Sequence, residues 1–140
     1  MKGCTGLDTN VLARYYVNDE DDGQSAAQRE SARRLIESGR PLAVGKTVLL
    51  ELEWVLRGYY GFARTEVTQV LEHLLSQPGI HIEDRATVVR ALAAHASGLD
   101  FADALHHASY AECADVATFD DRGFVRRARK LGLMPPVSLP

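Results

Sequence analysis

The sequence has few cysteines and no long apolar run. Cys4 and Cys113 are the two cysteines among 140 residues, and they show no CxxC or Cys/His ligand spacing. We therefore expect reduced, buried thiols in a cytoplasmic protein rather than a disulfide framework or a zinc site. No apolar segment approaches the ~20 residues of a membrane helix, and Asp8 interrupts the N-terminal apolar stretch, so neither a membrane span nor a signal peptide is predicted.

An excess of positive charge is also absent. The net charge is −3 and the pI is about 5.9. A protein that holds nucleic acid by bulk electrostatics alone would be basic. Bound cations and local arginine clusters can still reverse the sign at one site, so nucleic acid stays a possible ligand.

Short apolar segments alternate with longer helical patterns along the chain. The predicted strands are KGCTGLD, PLAVG, IHIED and DVATFD, and the C-terminal MPPVSLP could add an edge strand. This alternation is typical of an α/β domain with a mostly parallel sheet of four to five strands. No repeat, low-complexity segment or linker divides the chain, so we predict a single domain over residues 1–140.

The predicted helices are placed by their apolar period and their end signals. One helix, between Thr65 and Gln77, has the complete apolar pattern, formed by Val67, Val70, Leu71, Leu74 and Leu75. Thr47 and Asp84 are predicted N-caps of two other helices. The acidic segment from Asn18 to Gln24 is predicted to be a surface loop.

Acidic side chains that are far apart in sequence are expected at one edge of this sheet. Asp8 ends the first predicted strand and Asp120 the fourth, while Glu51 lies one turn into the helix after the second. Asp100 and Asp103 begin the helix that leads toward the fourth strand. Ligands bind at the carboxyl ends of parallel strands. A divalent cation such as Mg²⁺ or Mn²⁺ would offset the repulsion of these carboxylates, and this chemistry suits phosphodiester cleavage.

Helical phase distinguishes Glu51 from Glu53 in the helix after the second strand. The predicted apolar stripe of that helix contains Val48, Leu52, Val55, Leu56 and Tyr59. At ~100° per residue, Glu51 lies about 80° from the centre of the stripe and Glu53 about 115° away on the other side. Glu51 is therefore predicted to face a cleft from the edge of the stripe, and Glu53 to face solvent.

Asp8 has a purely structural alternative. A strand-ending aspartate can cap the next helix by accepting the amide of Asn10 or Val11, and taken alone both explanations are equally supported. Thr9 and Asn10 also favour turns because they hydrogen-bond locally. In a catalytic site, the Thr9 hydroxyl could bind a phosphate or a water at the metal, and Asn10 could orient Asp8.

The later acids have the same alternative. Asp100 and Asp103 have the spacing of a capping box, and a helix N-terminus stabilises carboxylates there. Asp120 and Asp121 could form a turn and an N-cap, and Thr118 could reach the same strand end. The choice between structural and catalytic roles stays open for this segment.

Two further clusters are candidates for ligand contacts. His106 and His107 follow Asp103 at helical spacing, but no further His or Cys completes a transition-metal site, so a surface or supporting role is expected. Tyr60 could stack on a base or equally pack in a dimer interface, whereas Tyr59 has the phase of a core residue. A basic cluster either forms a solvated helix face or contacts phosphate; it comprises Arg122, Arg126, Arg127, Arg129 and Lys130.

The ordered set of motifs resembles the PIN-domain ribonucleases, and most closely the VapC-type toxins of bacterial toxin–antitoxin pairs. The motifs are LDTNVL, a glutamate in the helix after the second strand, DFADALHHASYAE and VATFDD. They occur in the expected order over nearly the whole chain. The resemblance implies a three-layer α/β/α fold, with a twisted parallel sheet between helices, whose carboxylates bind Mg²⁺ or Mn²⁺ and hydrolyse RNA.

The resemblance also implies roles for individual residues. The catalytic, metal-binding acids would be Asp8, Glu51, Asp103 and Asp120. The supporting residues would be Thr9, Asn10, Asp100, Thr118 and Asp121, of which Asp121 could replace Asp120. Independently of the resemblance, the basic cluster supplies Arg122, Arg126 and Arg127 as the candidate RNA contacts.

The predicted function is that of a Mg²⁺- or Mn²⁺-dependent endoribonuclease, a cytoplasmic toxin that inhibits translation and growth. The resemblance further implies a homodimer and an antitoxin whose tail blocks the cleft. One alternative is another phosphate-processing hydrolase, with Asp8 as nucleophile. The DxDx[TV] pattern of haloacid dehalogenases is absent, however, because Asn10 stands at its second Asp. The other alternative is a non-catalytic binding module whose acids cap helices.

Overall fold

A computed structural model of the protein describes residues 2–18 and 23–140. Most of the acidic segment that was predicted to be a loop, residues 19–22, lies outside the described residues. The last two residues of that segment, Gly23 and Gln24, are helical instead. The chain divides into two compact units, Met1–Glu83 and Asp84–Pro140.

The first unit is built from three short strands and four helices in its described part. The strands are β1 (Thr5–Gly6), β2 (Leu42–Val44) and β3 (Ile80–Ile82). The helices are α1 (Thr9–Tyr16), α2 (Gly23–Ile36), α3 (Lys46–Trp54) and α4 (Arg64–Ser76), and a π-helical turn (Val55–Tyr59) continues α3. The strands pair in parallel in the order β1-β2-β3.

The central strand sets the position of the first strand end. All three residues of β2 are buried, as expected of a strand covered on both faces. The Leu7 amide donates to the Ala43 carbonyl at 2.9 Å, so the chain follows β2 up to the residue before Asp8. Asp8 thus lies at the carboxyl end of β1, as predicted from the sequence.

Helix α4 confirms the prediction made from its period. Its five buried residues are those of the predicted stripe, Val67, Val70, Leu71, Leu74 and Leu75. The helix begins at Arg64, where the Glu66 side chain accepts the Ala63 amide at 2.8 Å. Five apolar side chains on one face are a strong signal because their burial does not depend on any polar partner.

Helix α3 differs from the prediction in its start and its phase. The predicted cap at Thr47 is wrong, because Gly45 is the N-cap and the Lys46 amide donates to Glu83 Oε1 at 2.8 Å. The buried stripe is formed by Leu49, Leu52, Glu53 and Leu56, while Val48 and Val55 are only half-buried.

The predictions for Glu53 and Tyr59 are also wrong. Glu53 is 3% exposed rather than solvated, because the Arg57 Nε donates to its Oε2 at 2.7 Å and compensates the buried charge. Tyr59 is 76% exposed rather than in the core. It ends the π-helical turn, whose wider spacing changes the direction in which later residues point.

The second unit contains helices α5 (Arg85–Ala96), α6 (Phe101–Ser109) and α7 (Arg126–Lys130). Strands β4 (Val116–Ala117) and β5 (Val137–Ser138) pair in parallel, which confirms the fifth strand predicted at the C-terminus. A second π-helical turn (Asp121–Val125) precedes α7. The five strands of the described residues all pair in parallel, as the α/β prediction requires, but in a three-stranded and a two-stranded sheet rather than one.

Local details of the second unit also correct the sequence predictions. Asp84 occupies the N-cap position of α5 with a φ of 50°, and its side chain makes no capping hydrogen bond there. The segment LDFADALHHASYAECA is predicted from its sequence to be helical up to Ala114, but α6 ends at Ser109. His107 is buried, and its Nε2 donates to the Pro135 carbonyl at 2.8 Å, so its role is structural.

The cysteines remain free thiols, but they are not buried as predicted. Cys4 is half-buried and Cys113 is exposed. Cys113 follows the early end of α6, in a segment that the sequence pattern had extended as helix. Within the described residues, no helix has both the length and the apolar character required to cross a membrane.

The Glu53–Arg57 pair gives a testable prediction about stability. Arg57→Ala should lower the free energy of unfolding by about 2–4 kcal/mol, because it leaves a buried carboxylate uncompensated. Urea denaturation near neutral pH measures this change. Arg34→Ala is the matched control, since Arg34 pairs with Glu30 on the exposed face of α2 and exposed pairs contribute little. Equal effects of the two substitutions would contradict the assignment.

Candidate active site

The first unit brings Asp8 and Glu51 to one cavity of about 380 Å³. Asp8 reaches it from the end of β1, and Glu51 from the exposed side of α3. Thr9 and Asn10, predicted to support Asp8, line the same cavity. The geometry therefore joins two of the predicted acids with their two polar neighbours.

Asp8 also starts helix α1, but in a way that leaves part of its carboxylate available. Its Oδ1 accepts the Thr9 amide at 2.8 Å, whereas the predicted partners were the Asn10 and Val11 amides. The other oxygen, Oδ2, has no hydrogen bond to any described residue. A structural role and a ligand role for Asp8 are thus compatible, because each uses a different oxygen.

Thr9 carries an unusual hydroxyl in this cavity. The residue is 5% exposed, and its Oγ1 is buried without a hydrogen-bond partner among the described residues. An unsatisfied buried hydroxyl is costly unless a ligand completes it. Beside two carboxylates, this hydroxyl is suited to a phosphate oxygen or a water molecule, and the oxygen donor set fits Mg²⁺ or Mn²⁺.

Aromatic side chains form another wall of the cavity. Trp54, Tyr59 and Tyr60 line it, and Trp54 and Tyr59 are 60% and 76% exposed. The rings of Tyr59 and Tyr60 meet edge to face, with their centroids 4.8 Å apart. Sequence reasoning missed Trp54, because its position on the outer face follows from the observed phase of α3, in which Leu49, Leu52 and Glu53 are buried.

The second unit brings Asp100, Asp103 and Asp120 into electrostatic contact. Burial raises the pKa of Asp103, and the neighbouring carboxylates of Asp100 and Asp120 raise it further, while His106 lowers it. Asp100 is the N-cap of α6, and its Oδ2 accepts the Asp103 amide at 3.2 Å. The predicted capping role of Asp100 is therefore confirmed, and Asp103 holds a partly desolvated charge.

The Asp120 carboxylate is held by its own turn. Thr118 Oγ1 accepts the Asp120 amide at 3.1 Å, and Asp120 Oδ1 accepts the Gly123 amide at 3.0 Å. A Cβ atom at position 123 would lie 2.5 Å from Asp120 Oδ2, so only glycine permits this approach. Gly123 is thus a positioning residue that sequence reasoning missed; its one sequence signal is a glycine three residues after the acid.

Asp121 belongs to a different surface. It begins the π-helical turn and lines a cleft of about 450 Å³ with Arg122 and Arg126. Asp120, and not Asp121, is among the carboxylates that raise the pKa of Asp103. Arg127, predicted to contact RNA, does not line this cleft; its guanidinium donates to the Gly98 carbonyl at 3.1 Å.

The predicted acids therefore occur as two sets, one in each unit. Asp8 and Glu51 share a cavity in the first, and Asp103 and Asp120 interact in the second. Within the described part of either unit, no three His, Cys, Asp or Glu side chains are grouped so that they could hold a metal ion. Each set supplies hard oxygen donors, the kind that Mg²⁺ and Mn²⁺ prefer.

Comparison with known families covers both sets. The PIN domain family model matches residues 7–130, from the residue before Asp8 to the end of α7, and so runs through both units. No curated protein matches the chain significantly. The chain therefore belongs to the PIN-domain family, whose members are generally metal-dependent nucleases of the α/β class predicted from the sequence.

Proposed function

We propose that the protein is a metal-dependent endoribonuclease. The observation that carries the proposal is the cavity of the first unit, which is lined by Asp8, Glu51 and Thr9, and the buried Thr9 hydroxyl that has no hydrogen-bond partner among the described residues. Two carboxylates in one cavity and an unsatisfied hydroxyl do not stabilise the fold, but they suit a bound ligand. A bound Mg²⁺ or Mn²⁺ would supply water activation and neutralise the charge that develops on the departing oxygen.

The acidic residues of this chain would bind cations, and their backbone hydrogen bonds would hold them in position. Asp8 and Glu51 in the first unit, and Asp103 and Asp120 in the second, would supply the carboxylate ligands for divalent cations. The hydrogen bonds from the Thr9 and Gly123 amides keep one oxygen of Asp8 and of Asp120 fixed, which orients the other oxygen of each carboxylate.

Supporting residues would position those acids. Thr118 would fix the backbone at Asp120, because its hydroxyl accepts the Asp120 amide. Asn10 would orient the Asp8 side of the cavity, and the Thr9 hydroxyl would donate to a phosphate oxygen. Asp100 would act through Asp103, because it caps the helix on which Asp103 lies.

The aromatic wall favours a single-stranded nucleic acid over a small phosphate ester. Trp54 and Tyr59 expose their rings in the cavity that holds Asp8 and Glu51. Stacking of bases on aromatic rings is a general way to bind single strands without sequence preference. A phosphatase would have no use for these rings, and Asn10 already departs from its aspartate motif.

We further propose that the protein acts in the cytoplasm as the toxin of a toxin–antitoxin pair, as a homodimer that inhibits translation and growth. The ordered motifs LDTNVL, DFADALHHASYAE and VATFDD support this role. A small neighbouring gene that encodes a DNA-binding segment and an arginine-bearing tail would identify the antitoxin. Its absence, together with no growth arrest on expression, would leave a ribonuclease with another biological role.

The proposed activity predicts metal-dependent cleavage. Purified protein should cleave single-stranded RNA when Mn²⁺ or Mg²⁺ is present, and both EDTA and Asp8→Asn should reduce the rate by at least ~100-fold, because each removes part of the cation site. Denaturing gels with labelled RNA measure the rate. Asp115→Asn is the matched control, since Asp115 is exposed and lies outside both acid sets. Full activity in EDTA and in Asp8→Asn would refute the mechanism.

The charge on Asp103 gives a prediction about stability and pH. Its raised pKa means that the folded protein holds the proton more tightly than the unfolded chain, so ionisation of Asp103 lowers stability as pH rises through that pKa. Asp103→Asn should therefore raise the free energy of unfolding slightly in EDTA at about pH 7, while cleavage is lost. The gain should vanish in acid, where Asp103 is protonated in both states.

This Asp103 prediction separates the catalytic role from a purely structural one. Urea denaturation across a pH series measures the stability, with Asp115→Asn as the control for a change of charge alone. If Asp103 served only helix α6, Asp103→Asn would destabilise the protein at neutral pH and Mn²⁺ would not stabilise the wild type. That result would favour the non-catalytic binding module.

The close approach of Gly123 to Asp120 gives a prediction about rate. Gly123→Ala should lower the cleavage rate by ~10–100-fold, because the added methyl group displaces the Asp120 carboxylate from its present position. The melting temperature should change little, since the displaced Asp120 side chain is exposed to solvent. Gly23→Ala is the matched control, because a Cβ at that position would meet no atom within 4 Å. An unchanged rate in Gly123→Ala would show that the position of Asp120 does not matter.

A further inference from the structure

We propose that one face of the segment from Asp121 to Lys130 binds the phosphate backbone of single-stranded RNA. We name this surface the cationic cleft, and its basic residues are Arg122, Arg126, Arg129 and Lys130. The inference rests on the proposed function for the identity of the polyanion. It adds a substrate-binding surface that contains none of the four acids proposed to bind cations.

The four basic residues of the cationic cleft line one cavity of about 450 Å³. Arg122 reaches it from the π-helical turn, while Arg126 and Arg129 are three residues apart in α7 and so lie on one helical face. The opposite face is apolar and buried, and it contains Phe124 and Ala128. Packing of that apolar face thus orients the cations together.

The basic side chains of the cationic cleft have no acidic partners in the part of the chain that the structure describes. None of its four basic side chains forms an ion pair or hydrogen bond with a described residue, whereas Arg33, Arg34 and Arg57 elsewhere pair with glutamates. The chain as a whole is acidic, with a net charge of −3. Four unneutralised cations around one cleft repel one another, and an anionic ligand removes that repulsion.

Among the described residues that line the cationic cleft, the single acid is Asp121, at the start of the segment. One carboxylate cannot neutralise four cations, so the surface keeps a positive potential. Asp121 also opposes a bound phosphate, and its removal should strengthen binding. Substitutions that merely disturb the fold would weaken RNA binding in every case. A gain in affinity on removal of Asp121 would therefore indicate that the cleft binds phosphate.

The spacing of the cations favours a chain of phosphates over a single small anion. Arginine donates two parallel hydrogen bonds to a phosphate, and four cations that line one cleft can contact successive groups. Such contacts position the strand without reading its sequence. Arg127, which the sequence analysis included as an RNA contact, is replaced in this role by Arg129 and Lys130, because Arg127 holds the Gly98 carbonyl.

The test measures binding separately from cleavage. A fluorescein-labelled oligouridylate of about 12 nucleotides is titrated with protein in EDTA, and anisotropy is recorded over a series of salt concentrations. The double variant Arg126→Gln/Arg129→Gln should bind at least ~10-fold more weakly at low salt. Its slope of log K against log salt should fall by about 1.4, or ~0.7 for each lost phosphate contact.

Three other variants make the result specific. Arg126→Lys/Arg129→Lys keeps the charges and should retain most of the affinity and the salt slope. Arg33→Gln/Arg34→Gln removes the same charge from the exposed face of α2 and should leave binding unchanged. Asp121→Asn should tighten binding. Circular dichroism and thermal melting confirm that each variant is folded.

Some outcomes would overturn the inference. The inference is wrong if the wild-type protein does not bind the oligouridylate in EDTA. It is also wrong if Arg126→Gln/Arg129→Gln binds with unchanged affinity, or if Arg33→Gln/Arg34→Gln weakens binding to the same extent. A parallel cleavage assay with Mn²⁺ separates this inference from the proposed function. If the protein cleaves RNA but Arg126→Gln/Arg129→Gln binds the oligouridylate normally, only the role of the cationic cleft is refuted. If binding depends on the cleft but no RNA is cleaved, the cleft is supported and the proposed nuclease activity is refuted.

Discussion

The compensation of negative charge is the constraint on which the arrangement of this protein depends. Glu51 and Glu53 are two residues apart on α3, and their negative charges are compensated in different ways. Glu53 is buried, and Arg57 neutralises it from within the chain. Glu51 lies in a cavity with Asp8, and Asp103 and Asp120 repel each other in the second unit. Arg14 also lines the cavity of Asp8 and Glu51, but neither acid forms an ion pair with a described residue, so an external cation is a natural counterpart for these carboxylates.

Helix capping and ligand binding are compatible roles for these acids. Asp8, Asp100 and Asp120 each accept a backbone amide at the start of a helix or turn. Capping uses one oxygen of a carboxylate and orients the other. The second oxygen therefore stays available to bind a ligand in a fixed position. The same turns explain why small residues stand beside the acids: Gly123 allows the close approach of Asp120, and Thr118 fixes its backbone.

The fold was predictable where apolar period alone decides burial. The stripe of α4 and the strand at Ile80–Ile82 agree with their patterns, because buried Leu, Val and Ile need no specific partner. The phase of α3 was not predictable, since burial of Glu53 depends on its ion pair with Arg57. The exposure of Tyr59 likewise depends on a π-helical turn, which cannot be predicted from the residue types in that segment.

The sequence by itself determined the α/β class, the PIN-domain family and the identity of the acids at the strand and helix ends, because short motifs and apolar periods are local. Tertiary structure decided which of those side chains share a cavity and which are already occupied. It paired Asp8 with Glu51, gave Asp121 to the cationic cleft rather than to the acidic set, and turned Arg127 toward Gly98. These outcomes depend on the direction of side chains across a turn, which packing sets and sequence spacing leaves open.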